Sequence, residues 1–195
     1  MQSFNNKEDR KHRRILAHLE AAKAYAKLSS ARRLKVGAVL VKDDRVISVG
    51  YNGTPTGGSN CCEELVQDAL DAVVWVTKPE VLHAEENCIA FAARNGIATD
   101  GCSMVTTHSP CFPCSRLLIQ AGVKNVYYET EYRNVSGIEL LKKHRVSVER
   151  LELDEEKGTT KPSGEQEADV STSSSLSGDP QANSKEREET QHEDC

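Results

Sequence analysis

Apolar residues recur at helical spacing from Ile15 through Leu16, Leu19, Ala22 and Ala26 to Leu28, which predicts an amphipathic helix over residues 13–30. The period then changes. Residues 36–41 (VGAVLV) are β-branched and almost wholly apolar, as expected of a strand covered on both faces. Lys42-Asp43-Asp44-Arg45 turns the chain, and residues 46–50 return as a hairpin partner. Residues 51–60 (YNGTPTGGSN) are dense in Gly, Asn, Thr and Pro and read as a loop. A helix-like piece is expected from Leu65 to Val74, stopped by Lys78-Pro79. Beyond it the pattern alternates regularly, with helices over 83–95, 112–121 and 135–143 and strands over 102–107, 124–129 and 145–151. Helices threaded between strands in this order predict a layered α/β domain. The βα units lead to parallel strands, so the helices should cover both faces of one mixed sheet.

Composition changes this picture at the two ends. Residues 1–12 are polar and are expected to form a flexible N-terminus, ahead of a domain over 13–153. Residues 154–195 hold 12 acidic and 4 basic residues and few large apolar ones. Such a stretch cannot bury enough surface to offset its ordering entropy, so a disordered acidic, Ser-rich tail is expected. Its net charge of −8 leaves the rest of the chain at +3, against −5 overall. A mildly basic domain suits a phosphorylated small molecule, but it lacks the charge expected of a nucleic-acid binder. No apolar run approaches a membrane span, and Met1-Gln2-Ser3-Phe4 has no apolar signal core. With seven cysteines and no such core, a reducing, cytoplasmic setting is expected.

The chemistry concentrates between His83 and Cys114. His83-Ala84-Glu85 opens the stretch and Pro110-Cys111-Phe112-Pro113-Cys114 closes it. One imidazole and two thiolates make three Zn²⁺ ligands, the number a catalytic zinc takes while keeping a position for water. Glu85, two residues from the imidazole, is placed to exchange protons with that water without binding the metal. The H-x-E…P-C-x-x-C arrangement is the known signature of zinc-dependent nucleobase deaminases. A lone C-x-x-C would read as structural zinc or a redox pair. A closed structural site needs a fourth ligand, which Cys88 or Cys102 could supply by count, but it has no use for Glu85. Cys61 and Cys62 read as buried small hydrophobes, with a second structural metal as the alternative.

With these motifs placed at two helix starts, the chain resembles the deoxycytidylate (dCMP) deaminases of the cytidine deaminase superfamily, phage-type members among them. The resemblance runs over residues 15–150 and rests on Lys35-Val36-Gly37-Ala38-Val39-Leu40-Val41, on Gly50-Tyr51-Asn52-Gly53-Thr54-Pro55-Thr56-Gly57, and on His83-Ala84-Glu85-Glu86-Asn87. It implies a three-layer α/β/α fold with a five-stranded mixed sheet, and homo-oligomers, often hexamers. It implies conversion of dCMP to dUMP for thymidylate synthesis, in the cytoplasm or, for a viral source, the host cytoplasm. His83, Cys111 and Cys114 fall on the zinc ligands and Glu85 on the proton shuttle. Asn52, Ala84, Ser109 and Tyr132 fall on substrate-contacting positions. The resemblance also implies activation by dCTP with Mg²⁺ and inhibition by dTTP, with Gly53, Pro55 and Gly57 in an effector loop whose backbone N–H groups face phosphate. The alternatives are deamination of another cytosine species (dCTP, or cytosine in nucleic acid) and a non-catalytic zinc-bound interaction module.

Overall fold

The computed structural model describes residues 7–67 and 71–152. Its main sheet has five strands in the order β2-β1-β5-β6-β7. These are β1 (Gly37–Lys42), β2 (Arg45–Tyr51), β5 (Ser103–His108), β6 (Asn125–Thr130) and β7 (Ser147–Arg150); a separate hairpin joins β3 (Glu63–Gln67) to β4 (Val73–Thr77). β1 runs antiparallel to both β2 and β5, whereas β5, β6 and β7 are parallel. The parallel part follows from helices α3 (Phe112–Gln120) and α4 (Ser136–Lys143), which carry the chain back between successive strands.

The apolar run of β1 is explained by burial on both sides. Val39 and Val41 meet Ile15, Leu19 and Ala22 of α1 (Lys7–Ala26) on one face. Ala38 and Leu40 meet Ala84, Cys88 and Ala92 of α2 (Ala84–Arg94), together with Leu118 and Leu141, on the other. One helix therefore covers one face and three cover the opposite face. The expected three-layer α/β/α architecture is found. Asp43 and Asp44 both take positive φ (49° and 59°), as a tight two-residue hairpin turn between β1 and β2 requires. Gly37 is needed for a different reason, since a Cβ there would strike the Ala22 carbonyl of α1.

Two sequence expectations are corrected. The first helix begins at Lys7, not at residue 13, so residues 7–12 belong to it. Glu8 and Asp9 suit the positive end of its dipole, and the Lys11 ammonium sits 5.8 Å from the Tyr127 ring centroid. Residues 1–6 and the expected tail from 154 onward lie outside the described residues. The second correction is larger. The described residues of the expected helix from Leu65 to Val74 fall instead on the paired strands β3 and β4, with Leu65 opposite Trp75 and Val66 opposite Val74, while residues 68–70 lie outside the described residues. The valines of this hairpin and Trp75 favour strands. Apolar Leu65, Val66, Val73 and Trp75 remain exposed on it, so no buried face imposes the period that the sequence reading relied on.

Candidate metal centre and active site

α2 and α3 both begin at the same end of the sheet, and each contributes metal donors at its first turn. His83 is the N-cap of α2 and Cys111 the N-cap of α3, with Cys114 inside the first turn of α3. The α2 cap is secured by Glu86, whose carboxylate accepts the His83 backbone N–H at 2.9 Å. Glu86 thereby fixes the turn that carries a metal donor. Pro113 within the first turn of α3 has no N–H to leave unpaired.

His83 Nδ1 lies 3.3 Å from Cys111 Sγ and 3.4 Å from Cys114 Sγ. Tetrahedral zinc with ordinary Zn–N and Zn–S bonds separates such donors by about 3.5 Å. The three donor atoms fall within 4.8 Å of one another, and His83 is exposed while Cys114 is buried. Among the described residues no other His, Cys, Asp or Glu joins them. Cys88 and Cys102 are instead in the apolar core under α2. Cys62 is likewise core-like, buried with Ala31 and Val81. The donor set thus fits a three-ligand zinc with one position open.

The electrostatics lead to the same conclusion. Hydrogen bonds from Cys114 and then His83 pull the Cys111 thiol down to about 4, despite partial burial. The Cys114 thiol is pushed up by its bond to Cys111 and by burial, and His83 is raised to about 9 chiefly by its bond to Cys111. One thiolate is therefore readily formed, and the second needs a cation beside it. A divalent metal meets that need and displaces the protons.

Glu85 is 4% exposed. Burial pushes its carboxyl up to about 7. It faces a cavity of about 400 Å³ that also reaches His83, Cys111 and Ala84, a size typical of small-molecule sites. The expected residues Asn52, Ser109 and Tyr132 also line it. Asn52 is heavily engaged: its amide accepts the Val36 N–H at 2.8 Å and donates to the Leu34 carbonyl at 2.8 Å. One of its two amide hydrogens stays free of that pair. Ser109 Oγ accepts the Tyr132 N–H at 2.8 Å, which holds the loop after β6 against the cavity. Gly53 and Gly58 use their N–H groups internally, on the carbonyls of Leu82 (3.1 Å) and Pro55 (3.0 Å). Gly53, Pro55 and Gly57 are not part of the cavity wall.

The sequence reading missed Arg33, Glu63, Thr77, His108 and Arg133, all on the cavity wall. Glu63 and Thr77 flank the stretch expected to be helical, and only their cross-strand pairing brings them together at the cavity. His108 had a weak signal, standing one residue before Ser109 at the end of β5.

Comparison with known proteins agrees with this geometry. Residues 9–130 match the family described as the cytidine and deoxycytidylate deaminase zinc-binding region. ComE operon protein 2 of Bacillus subtilis is 39% identical over 131 residues, 65% of each chain, so the match spans just under two thirds of that relative. Deoxycytidylate deaminase of Enterobacteria phage T4 is 37% identical over 137 residues, covering 53% of this chain and 71% of that one. The structure of dCMP deaminase from cyanophage S-TIM5 in complex with dCMP and dUMP is 40% identical, with a TM-score of 0.62 over 70% of this chain and 95% of that one. From its matched residues, its fold and its His-Cys-Cys donor set, this chain belongs to the cytidine and deoxycytidylate deaminase zinc-binding family.

Proposed function

We propose that this protein hydrolytically deaminates dCMP to dUMP with a zinc ion held by His83, Cys111 and Cys114. The observation that carries the reading is Glu85, a buried carboxyl that faces the cavity beside the donor set without belonging to it. A structural zinc site has no use for such a group. Bound at these donors, zinc lowers the pKa of a coordinated water so that a nucleophile is available near neutral pH. Glu85 takes a proton from the attacking water and delivers it to N3 of the pyrimidine, which makes C4 electrophilic. It then takes the proton of the new C4 hydroxyl and passes it to the amine, so that ammonia leaves as the C4 carbonyl forms. In this proposal the N–H of Ala84, in the first turn of α2, donates to the pyrimidine edge. Asn52, Ser109 and Tyr132 shape the nucleoside part of the cavity.

Support for dCMP over other cytosine species comes from the phage relatives, one solved with dCMP and dUMP. The test is ammonia release from dCMP, dCTP, deoxycytidine and a cytosine oligonucleotide by the zinc-loaded chain. Turnover of dCMP at the highest kcat/KM is expected. Preference for the oligonucleotide, or no release from any of the four, would overturn it. The proposal includes self-association, because the exposed apolar residues of the β3–β4 hairpin give a surface suited to burial against another copy. A single-chain mass by light scattering would remove that part. Activation by dCTP with Mg²⁺ and inhibition by dTTP form a separate part of the proposal, tested by initial rates against dCMP with and without each triphosphate. Gly53 and Gly58 spend their N–H groups within the loop region, so they are not the groups that would hold the effector phosphates.

A further inference from the structure

We infer that the cleft between α1 and the sheet, at the end away from the metal donors, is a second binding site, which takes a tetrahedral oxyanion (phosphate or a small phosphomonoester) on Lys11, His18 and Lys42. It stands apart from the proposed reaction, since no residue of this cleft lines the cavity at Glu85.

The two cavities lie at opposite ends of the sheet. The one beside Glu85 meets Val36, just before β1, and His108 at the end of β5, whereas this one meets Lys42 and Ser103, at the other ends of the same antiparallel pair. Lys11, Ile15 and His18 recur at spacings of four and three, so one face of α1 forms its roof. Ile15, Val41, Val105 and Tyr127, all buried, supply an apolar lining. The cleft holds about 270 Å³. That is below the size of sites for drug-sized ligands, and it suits a small ion with its water rather than a second nucleotide.

Three nitrogen donors line this small space, two from α1 and one from the end of β1. The Lys42 ammonium donates to the Asp100 carbonyl at 3.2 Å, which steadies it and leaves two of its three hydrogens. The Lys11 ammonium is 5.8 Å from the Tyr127 ring centroid, and the Tyr127 hydroxyl, with Glu149 and Glu8, holds its pKa above the ordinary 10.5. The His18 ring lines the same cleft, and its buried Nε2 has no hydrogen-bond partner among the described residues. A buried polar nitrogen left so pays its desolvation without return. The acids in the wall do not cancel the cations. Asp44 is paired with Arg14, and Asp43, exposed to water, is screened. Lys11 and Lys42 against Asp43 leave the wall positive, and protonation of His18 makes it more so. A carboxylate has only two oxygens for three donors, whereas a phosphate group presents at least three.

The test is an NMR titration of the histidine rings in the full-length, zinc-loaded protein, in low-millimolar sulfate and in chloride of equal ionic strength. Sulfate keeps its double charge from pH 8 to 5, so any difference belongs to the protein. In chloride His18 titrates below 6.5, because burial disfavours the imidazolium and Asp44 opposes this with a smaller pull. Sulfate should raise its midpoint by about one pH unit, the effect of an opposite charge close by. Lys11→Gln and Lys42→Gln should each remove most of that rise. Lys42→Arg should keep it, a rescue that a merely structural role would not show. His18→Gln identifies the ring signal by its loss, and zinc content and the circular dichroism spectrum check that each variant is folded. Equal midpoints in sulfate and chloride overturn the site, and so does a rise that survives both lysine substitutions. An equal rise in formate would overturn the tetrahedral assignment. Ammonia release is not the readout, so failure of the proposed reaction would leave this result standing.

Discussion

Glu85 shows how one side chain acquires its chemistry from its position. On the open surface it would be an ordinary carboxylate. At 4% exposure, with its carboxyl pushed up to about 7, it can both take and give a proton near neutral pH. Glu85→Gln keeps the shape and removes the exchange. We expect this variant to retain one zinc per chain while ammonia release from dCMP falls about 100- to 10,000-fold, the usual worth of general acid–base catalysis. Metal analysis showing an empty Glu85→Gln protein would mean that the carboxylate is a ligand and the donor set is wrong. Cys111→Ala, by contrast, should lose metal and activity together.

At the scale of elements, the metal donors depend on how closely helices approach strands and turns. Gly50 of β2 lies against α2, where a Cβ would meet the Ala84 carbonyl and come within 2.9 Å of Cys88 Cα. It is a packing glycine, not part of a ligand loop. Gly137 in the first turn of α4 does the same for the other donors. A Cβ there would strike the Pro110 carbonyl and come within 2.8 Å of both the Cys111 carbonyl carbon and Ser115 Oγ. Gly137→Ala must therefore shift the turn that carries Cys111. Overpacking of this kind costs about 1–3 kcal/mol, so a lower unfolding midpoint and faster loss of zinc to a chelator are expected. An unchanged midpoint and unchanged zinc release would show that the turn is not under this constraint.

Across the whole molecule, the face covered by α1 carries a titratable weak point. His18 of α1 has its Nε2 buried with no hydrogen-bond partner among the described residues. Burial lowers its pKa from the ordinary 6.5, with a smaller opposing pull from Asp44. Lys11, Lys42, Asp43, Asp44 and Tyr127 share the cleft beside it. Because the folded state disfavours the imidazolium, the unfolded chain binds the proton first as pH falls. Stability is therefore at its full value above pH 6.5 and declines below it, through the window between the unfolded and folded values. Denaturant midpoints from pH 7.5 to 5 should fall in wild type and fall less in His18→Gln. Parallel curves for the two proteins would assign the acid sensitivity to other groups.

The sequence by itself determined what depends on local periodicity and on donor identity. Val39 and Val41 alternating with Ala38 and Leu40 required a strand buried on both faces, and that strand is β1. His83, Glu85, Cys111 and Cys114 were legible because zinc chemistry constrains residue type and spacing, and both motifs sit at helix starts. Tertiary structure alone decided the rest. The hairpin was misread because a strand pair with apolar residues exposed on it carries no burial period; its partner is set by cross-strand pairing, as Leu65 with Trp75. Gly53, in the loop expected to face phosphate, spends its N–H on the Leu82 carbonyl, which only the folded chain brings beside it. Arg33 and Arg133 are 100 positions apart in the chain and meet one cavity only because the segment between α1 and β1, the hairpin and the loop after β6 converge there. Convergence of that kind is a long-range property of packing, and no window of sequence contains it.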